Sequence, residues 1–312
     1  MFDMKTMAVL LCTFNGEKFL GEQLRTLAEQ TVKDLVVFVS DDGSTDNTLR
    51  IIEENKNKYP HLNIQFLDSS LRDSREGFQY NFLSIFNLPV APAKYIAFCD
   101  QDDLWEKDKL ETAVNYLQNL PEDQPGLYGG RTQLIDENDH KLGFSALFTK
   151  KPSFANAMVQ SIMGGNTMVL NKSAWHLMKK ASGPKIITHD WWIYLVISGA
   201  GGHVFYDAIP RIQYRQHINN IVGNNSTLVG RLSRLKWLLQ GRFSTYNQAH
   251  VTALFAIKHL LTSAHQNILN HFADAQKTGF IGRLRYLLCK ETYRQTFLDN
   301  LGLSVAILIG KF

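Results

Sequence analysis

A chain of 312 residues, 45% hydrophobic and 20% charged, has enough apolar material for one large α/β domain with an appendage or for two modest domains. Its formal net charge of +4 is too small to point to nucleic acid as a partner. Three widely spaced cysteines, Cys12, Cys99 and Cys289, form no CxxC or Cys/His cluster, which argues against a disulfide framework or structural zinc and for a reducing cytoplasm.

The first apolar stretch, Met7–Cys12, is shorter than a signal-peptide core, and no run approaches the roughly 18 apolar residues of a membrane span. Strands are predicted at Ala8–Thr13, Leu35–Asp41, Asn63–Asp68 and Tyr95–Asp100. Helices are predicted at Phe19–Gln30, Thr45–Asn55, Gln79–Phe86 and Lys107–Asn119. This βαβα order predicts an α/β fold with a mostly parallel sheet flanked by helices. The unbroken run Val36-Val37-Phe38-Val39 suits a strand buried on both faces. Ligands of such sheets bind beyond the carboxyl ends of the strands, so the polar residues there are expected to converge on one crevice.

Farther on, a strand is predicted near Gly126–Gln133, a loop at Asp136–Gly143, an apolar segment at Thr167–Leu170 and a helix at Lys172–Ser182. Another helix starts at Asp190, short strands follow at His203–Tyr206 and Arg211–Tyr214, and from about Leu228 the pattern is helical.

Several clusters carry chemistry. Ser40 to Thr48 reads either as a turn capped by Ser44 or Asp46, or as a loop in which Asp41 accepts hydrogen bonds from a base or ribose. Asp100-Gln101-Asp102-Asp103 ends another strand. Three carboxylates in four residues repel one another, and hard oxygen ligands at this spacing suit Mg²⁺ or Mn²⁺; the plain alternative is a solvated acidic loop. In His189-Asp190-Trp191-Trp192, Asp190 is either a helix cap or a base set beside rings that stack on sugars. In Tyr214-Arg215-Gln216-His217, Arg215 neutralises a diphosphate and His217 is a third metal ligand, or the segment is a polar turn. The glycines of Gly164-Gly165-Asn166-Thr167 allow close approach to a ligand or make a turn.

Thr13-Phe14-Asn15-Gly16, Asp41-Asp42-Gly43-Ser44-Thr45-Asp46, Asp100-Gln101-Asp102-Asp103, Gly164-Gly165-Asn166 and His189-Asp190 resemble, in that order, the landmarks of family 2 glycosyltransferases. Asp102-Asp103-Leu104-Trp105, His189-Asp190-Trp191-Trp192 and Tyr214-Arg215-Gln216-His217 look like rhamnosyltransferase-like members that build bacterial O-antigen or capsule. The resemblance implies a GT-A fold over 1–223, with a nucleotide-sugar half about 1–105 and an acceptor half about 106–223, and a helical region over 224–312. It implies metal-dependent, inverting transfer from dTDP-rhamnose or a UDP-hexose to a lipid-linked glycan. Thr13, Asn15, Asp41, Asp100 and Arg215 would bind the donor, with Asp41 facing the base and Asp100 the ribose. Asp102, Asp103 and His217 would hold Mn²⁺ or Mg²⁺. Asp190 would be the base, and Gly165, Asn166, Trp191 and Trp192 would line the sugar and acceptor side. The acidic residue that the family usually carries before the base is His189 here, a departure shared by the rhamnosyltransferase-like branch.

A phosphatase of the haloacid dehalogenase type would carry its Asp-x-Asp pair on the first strand, not the fourth, and is set aside. A non-catalytic nucleotide-sugar-binding protein is the alternative. Arg231, Arg234, Lys236 and Arg242 lie among Leu232, Leu235, Trp237, Leu238 and Leu239, and Arg283, Arg285 and Lys290 among Leu284, Leu287 and Leu288. This region is expected to lie on the anionic inner face of a membrane, or to pack on the catalytic domain or a second copy.

Overall fold

The computed structural model describes residues 5–67, 93–181, 186, 188–216 and 242–312. Its central strands are apolar on both sides. Along β1 (Lys5–Thr13), Ala8, Leu10 and Cys12 face one core while Met7, Val9 and Leu11 face another. Along β2 (Leu35–Asp41), Val36 and Phe38 join the first core and Leu35, Val37 and Val39 the second. Strands of this kind have to be covered on both faces. One cover is α1 (Leu20–Ala28), α2 (Thr48–Lys58) and α3 (Lys109–Leu117), which supply Leu20, Leu24, Leu27, Ile52, Leu110 and Leu117 to the second core. The other cover is the single turn α4 (Phe154–Ala157) with α5 (Lys172–Lys180) and α6 (His189–Gly199).

In the seven-stranded sheet, β3 (Ile64–Phe66), β2, β1 and β4 (Ala93–Cys99) lie side by side and parallel. Next comes β9 (Val169–Asn171), antiparallel to both β4 and β6 (Gly126–Gly130), and β10 (His203–Asp207) closes the sheet parallel to β6. A second sheet has the order β5 (Leu104–Trp105), β11 (Ile212–Arg215), β7 (Gln133–Ile135), β8 (Lys141–Phe144).

Two expectations are corrected. The single strand near Gly126–Gln133 is two strands in two sheets. At the junction Gly130 packs so tightly on β10 that a Cβ would lie 2.7 Å from the Asp207 carbonyl oxygen, and Arg131 donates its N–H to that oxygen at 2.9 Å. The loop at Asp136–Gly143 includes the turn and much of β8: the Asp136 carboxylate accepts the N–H groups of Asn138 and His140 at 2.8 and 2.9 Å. The helix expected at Gln79–Phe86, His217 and the basic stretch from Arg231 to Leu239 lie outside the described residues.

Four helices end the chain: α7 (Arg242–Ala256), α8 (Ser263–Lys277), α9 (Phe280–Cys289) and α10 (Phe297–Ile309). Their inward faces pack on the domain, since Val251, Leu254, Leu269, Phe272, Leu303 and Ile307 share one core with α6. Polar bonds lock the seam: Thr262 N–H to Gly199 C=O at 3.1 Å, and Gln295 N–H to Gln160 Oε1 at 2.8 Å. No helix among the described residues is long and apolar enough to cross a membrane. Leu254 is fully buried at this seam. Leu254→Ala is expected to cost about 2–5 kcal/mol. Because the core is shared, far-ultraviolet circular dichroism and tryptophan fluorescence should report one coincident transition; a separate early melting of the C-terminal helices would contradict the shared core.

Candidate functional site

Register sets the ends of three strands side by side. Thr13 pairs with Asp41 and Leu11 with Cys99, so Asp41 and Gln101 flank Thr13. Side chains then stitch the loops together. Asp41 Oδ1 accepts the hydroxyls of Thr13 and Ser44 at 2.7 and 2.6 Å, and Oδ2 accepts the N–H groups of Gly43 and Ser44 at 3.1 and 2.8 Å. Asn15, in the left-handed region at φ 46°, accepts Thr45 N–H at 2.8 Å and donates its own N–H to the Ser44 hydroxyl at 2.9 Å. On the other flank the Gln101 amide clamps Phe14, accepting its N–H and donating to its C=O, both at 2.9 Å. A Cβ at Gly16 would lie 2.3 Å from Gln101 Oε1 and push this clamp off. Thr13, Asn15 and Asp41 are therefore brought together, and Asp41 is a rigid, oriented acceptor. The turn and the candidate binding loop are one object, because Asp46 also accepts Thr48 N–H at 2.9 Å, but neither Ser44 nor Asp46 caps α2, whose N-cap is Asn47 with no side-chain cap bond.

The acidic turn divides its carboxylates between two tasks. Asp103 is 1% exposed, and its oxygens accept the Asn166 amide and, at 3.3 Å, the N–H of Arg215. Burial first, then the charges of Asp102 and Asp100, push its carboxyl well above the usual range. Sealed in this way, Asp103 anchors the turn, which corrects the expectation that it joins Asp102 as a metal ligand. Asp100 is half-buried, and burial followed by the charges of Asp102 and Asp190 raises it to about 7.

Arg215 is also corrected. It is 1% exposed, and its guanidinium donates to the Asp102 carbonyl at 3.0 Å, to Glu22 at 2.9 Å and to Asp139, lying 4.4 Å over the Phe19 ring. It grips the backbone of the acidic turn instead of pointing at a diphosphate. Lys109 lies beneath the same turn, its Nζ buried 3.4 Å from the centroid of Trp105. Burial pulls its pKa down to about 7 against the opposing fields of Cys99 and Asp103. Among the described residues no three His, Cys, Asp or Glu side chains form a complete metal site. Mg²⁺-like ions use one or two carboxylates and complete their shells with substrate phosphates, so Asp102 with Asp100 beside it fits such an ion.

Asp190 lies in the first turn of α6, after Thr188, and its Oδ1 accepts Trp191 N–H at 2.7 Å. The start of α6 lies against the end of β4, where the His189 and Phe98 rings are 6.1 Å apart, and the Asp190 charge helps to raise Asp100. Trp191 is half-buried, donates Nε1–H to the Ala157 carbonyl at 2.7 Å and meets the His250 ring edge-on at 4.5 Å. Trp192 turns the other way. At 1% exposure it belongs to the core and is corrected as a sugar-stacking ring. Gly165 backs onto His189, where a Cβ would lie 2.2 Å from Nε2, and Asn166 spends its amide on Asp103. Both brace the site from behind.

Sequence reasoning missed Gln101, Lys109, Asn247 and His250. Asn247 and His250 are buried one turn apart on α7, and their side-chain nitrogens and oxygen make no hydrogen bond among the described residues. Their signal was two polar residues on a helix face otherwise continued by Val251 and Leu254.

Burial pulls His250 down to about 4 from the ordinary 6.5, although the Asp190 charge acts to raise it. Between those values unfolding takes up a proton, so stability falls as pH drops from 6.5 toward 4. His250→Leu should flatten that acid limb by about 3 kcal/mol near the bottom of the window, read as Tm against pH. An unchanged slope would mean that the ring is protonated in the fold. Arg215→Met should cost roughly 2–3 kcal/mol in denaturant unfolding.

The model for Glycosyl transferase family 2 matches residues 8–174. The dTDP-rhamnosyl transferase RfbG of Shigella flexneri is 31% identical over 234 residues, which cover 72% of this chain and 78% of that protein. The UDP-Glc:alpha-D-GlcNAc-diphosphoundecaprenol beta-1,3-glucosyltransferase WfaP of Escherichia coli is 21% identical over 225 residues, 71% of this chain and 81% of that one. In three dimensions the chain is similar to the mannosyltransferase PcManGT from Pyrobaculum calidifontis, solved in complex with GDP-Man and Mn²⁺. The TM-score is 0.50 at 17% identity, over 99% of this chain and 86% of that one. The mostly parallel sheet flanked by helices is the GT-A arrangement. With a family model spanning more than half of its length and a relative above 30% identity, the chain belongs to glycosyl transferase family 2.

Proposed function

We propose that this protein is an inverting, metal-dependent glycosyltransferase. It moves a sugar from a nucleoside diphosphate, dTDP-rhamnose or a UDP-hexose, to a hydroxyl of a lipid-linked glycan at the inner face of a bacterial membrane, in O-antigen or capsule synthesis. The observation that carries the reading is that the start of α6, with Asp190, packs against the end of β4, with Asp100: the rings of His189 and Phe98 lie 6.1 Å apart. Transfer needs such a meeting, because the leaving phosphate and the incoming hydroxyl approach one carbon from opposite sides. The rhamnosyl and glucosyl relatives support the donor classes, and the second names an acceptor on diphosphoundecaprenol.

Thr13, Asn15 and Asp41 bind the nucleoside end of the donor. The hydrogen bonds from Thr13, Gly43 and Ser44 hold the Asp41 carboxylate in one orientation, so a base N–H meets an acceptor that needs no reordering. Asp102, with Asp100 beside it, would hold Mn²⁺ or Mg²⁺, and a cation there supplies neutralisation of the charge on the leaving diphosphate. Asp190 takes the proton of the acceptor hydroxyl, and the Trp191 N–H on Oδ1 keeps the carboxylate from swinging. The half-buried Trp191 ring offers the acceptor sugar a face. The hydroxyl oxygen bonds to the anomeric carbon as the bond to the phosphate oxygen breaks, and displacement from the opposite face inverts the configuration.

A screen of dTDP-rhamnose, UDP-glucose and UDP-galactose for release of nucleoside diphosphate, with and without EDTA, tests this reading. A chain that bound a donor and never released diphosphate with any glycan acceptor would be a binding module. Asp102→Asn should nearly abolish transfer with an unchanged Tm, and EDTA should reproduce the loss in the wild type until Mn²⁺ or Mg²⁺ is restored. Asp190→Asn should lose at least roughly 10²-fold in turnover while calorimetry reports wild-type affinity for the nucleoside diphosphate. Retained turnover in that variant would remove Asp190 from the base role.

A further inference from the structure

We infer that α9 and α10 form a docking surface for an anionic lipid bilayer. Each helix has two apolar faces. Inward, Tyr286, Leu303, Ala306 and Ile307 are buried against the domain. Outward on α9, Phe280, Ile281, Leu284 and Leu288 are exposed, Ile281 and Leu288 to 69% and 71%. Outward on α10, Phe297, Leu301, Val305 and Ile309 recur every fourth residue with Leu298 beside them, and Phe297 is 82% exposed. Side chains four apart share one face of a helix, so each set is a continuous stripe. The two helices touch: Arg283 donates to the Leu308 carbonyl at 3.4 Å, and a Cβ at Gly310 would lie 2.4 Å from its guanidinium.

This face is held, not frayed. The Thr296 hydroxyl accepts Asp299 N–H at 3.1 Å, so α10 is capped and Phe297 and Leu298 are fixed on its first turn. An ordered apolar patch spread over two helices marks an interaction surface.

Charge selects the occupant. Residues 280–312 carry five Lys or Arg and two Asp or Glu. Of the two acids, Glu291 pairs with His271 at 2.7 Å, and Asp299 accepts the Thr296 hydroxyl at 2.7 Å. Arg285 stands on the outward face of α9, and Lys290 just past its end; both are exposed. A second copy would bring these cations toward their own kind. A headgroup layer of anionic lipid meets both features at once, taking the stripes below it and pairing the cations. Helices of 10 and 13 residues are too short to span and long enough to lie flat.

The inference gives the membrane contact in the proposed function its surface, and it stands on lipid binding alone, whatever the outcome of a transfer assay. The full chain is co-sedimented with vesicles of phosphatidylcholine, alone or mixed with phosphatidylglycerol, across a salt series. Binding to the mixed vesicles that salt weakens is expected, with little binding to phosphatidylcholine. The paired change Leu288→Glu with Phe297→Glu should lower the partition coefficient at least tenfold, and Arg285→Glu with Lys290→Glu should remove the anionic preference. Both variants should keep the wild-type Tm and the wild-type release of diphosphate with a soluble acceptor, because these side chains point away from the domain. Indifference of the wild type to both vesicles would overturn the inference. So would a concentration-dependent dimer in sedimentation velocity that the Leu288/Phe297 variant abolishes, which would make this face a contact between copies.

Discussion

Mutual repulsion among Asp100, Asp102, Asp103 and Asp190 is the constraint around which this molecule is arranged. Like charges brought together at low effective dielectric raise one another's proton affinity, and the carboxyls of Asp100 and Asp103 are raised for this reason on top of burial. The fold answers with bonds to fixed donors and with cations set behind the turn. Asn166 and the Arg215 N–H hold Asp103, while the Arg215 side chain holds the Asp102 carbonyl. The smaller sheet makes this possible: β5 follows the acidic turn directly, and its antiparallel register with β11 sets Gln213 opposite Leu104 and so delivers Arg215 to the turn. Glu22 and Asp139 then neutralise Arg215 from the far side, which leaves the turn braced without cancelling its negative charge.

The alignment of the strand ends was legible in the sequence because it is local. Each of Thr13, Asp41 and Asp100 ends a continuous apolar run or directly follows one, and parallel pairing of neighbouring strands aligns such ends without further information. Helix α1 was legible by the same token. Leu20, Leu24 and Leu27 recur at helical spacing, and they are the residues that α1 buries.

The residues that changed role are those whose neighbours come from far along the chain. Local sequence shows Asp103 as one more acid beside Asp102. Only the approach of Asn166 and Arg215, 63 and 112 residues away, makes it an anchor. Arg215 looks like a free cation at a strand end until Glu22, 193 residues earlier, closes on it. Trp191 and Trp192 are adjacent, but one step of a helix turns the side chain by about 100°, so one ring stands at the crevice and the other in the core. The split of Gly126–Gln133 into two strands has the same origin, since the turn at Gly130 is dictated by the close approach of Asp207. Propensity and periodicity have no access to that contact.

The C-terminal helices bear on the chemistry through α6. Apart from Asp190 and Trp191, every residue of this eleven-residue helix is buried, so its position follows from what packs around it and not from its own amphipathicity. The sheet covers one side. On the other, Gly199 accepts Thr262 N–H, a ring nitrogen of His265 lies 2.8 Å from the same oxygen, and a Cβ at Gly199 would meet Leu261 at 2.7 Å. At the opposite end His250 of α7 stands against Trp191. Both ends of α6 are thus registered by residues beyond 242, and the carboxylate of Asp190 inherits its place in the crevice from them. Strand pairing alone aligns Thr13, Asp41 and Asp100, whereas the position of Asp190 depends on the helices that follow. The helices beyond 242 therefore fix the position of the helix that carries Asp190, and the apolar stripes of α9 and α10 lie on faces that the domain leaves uncovered.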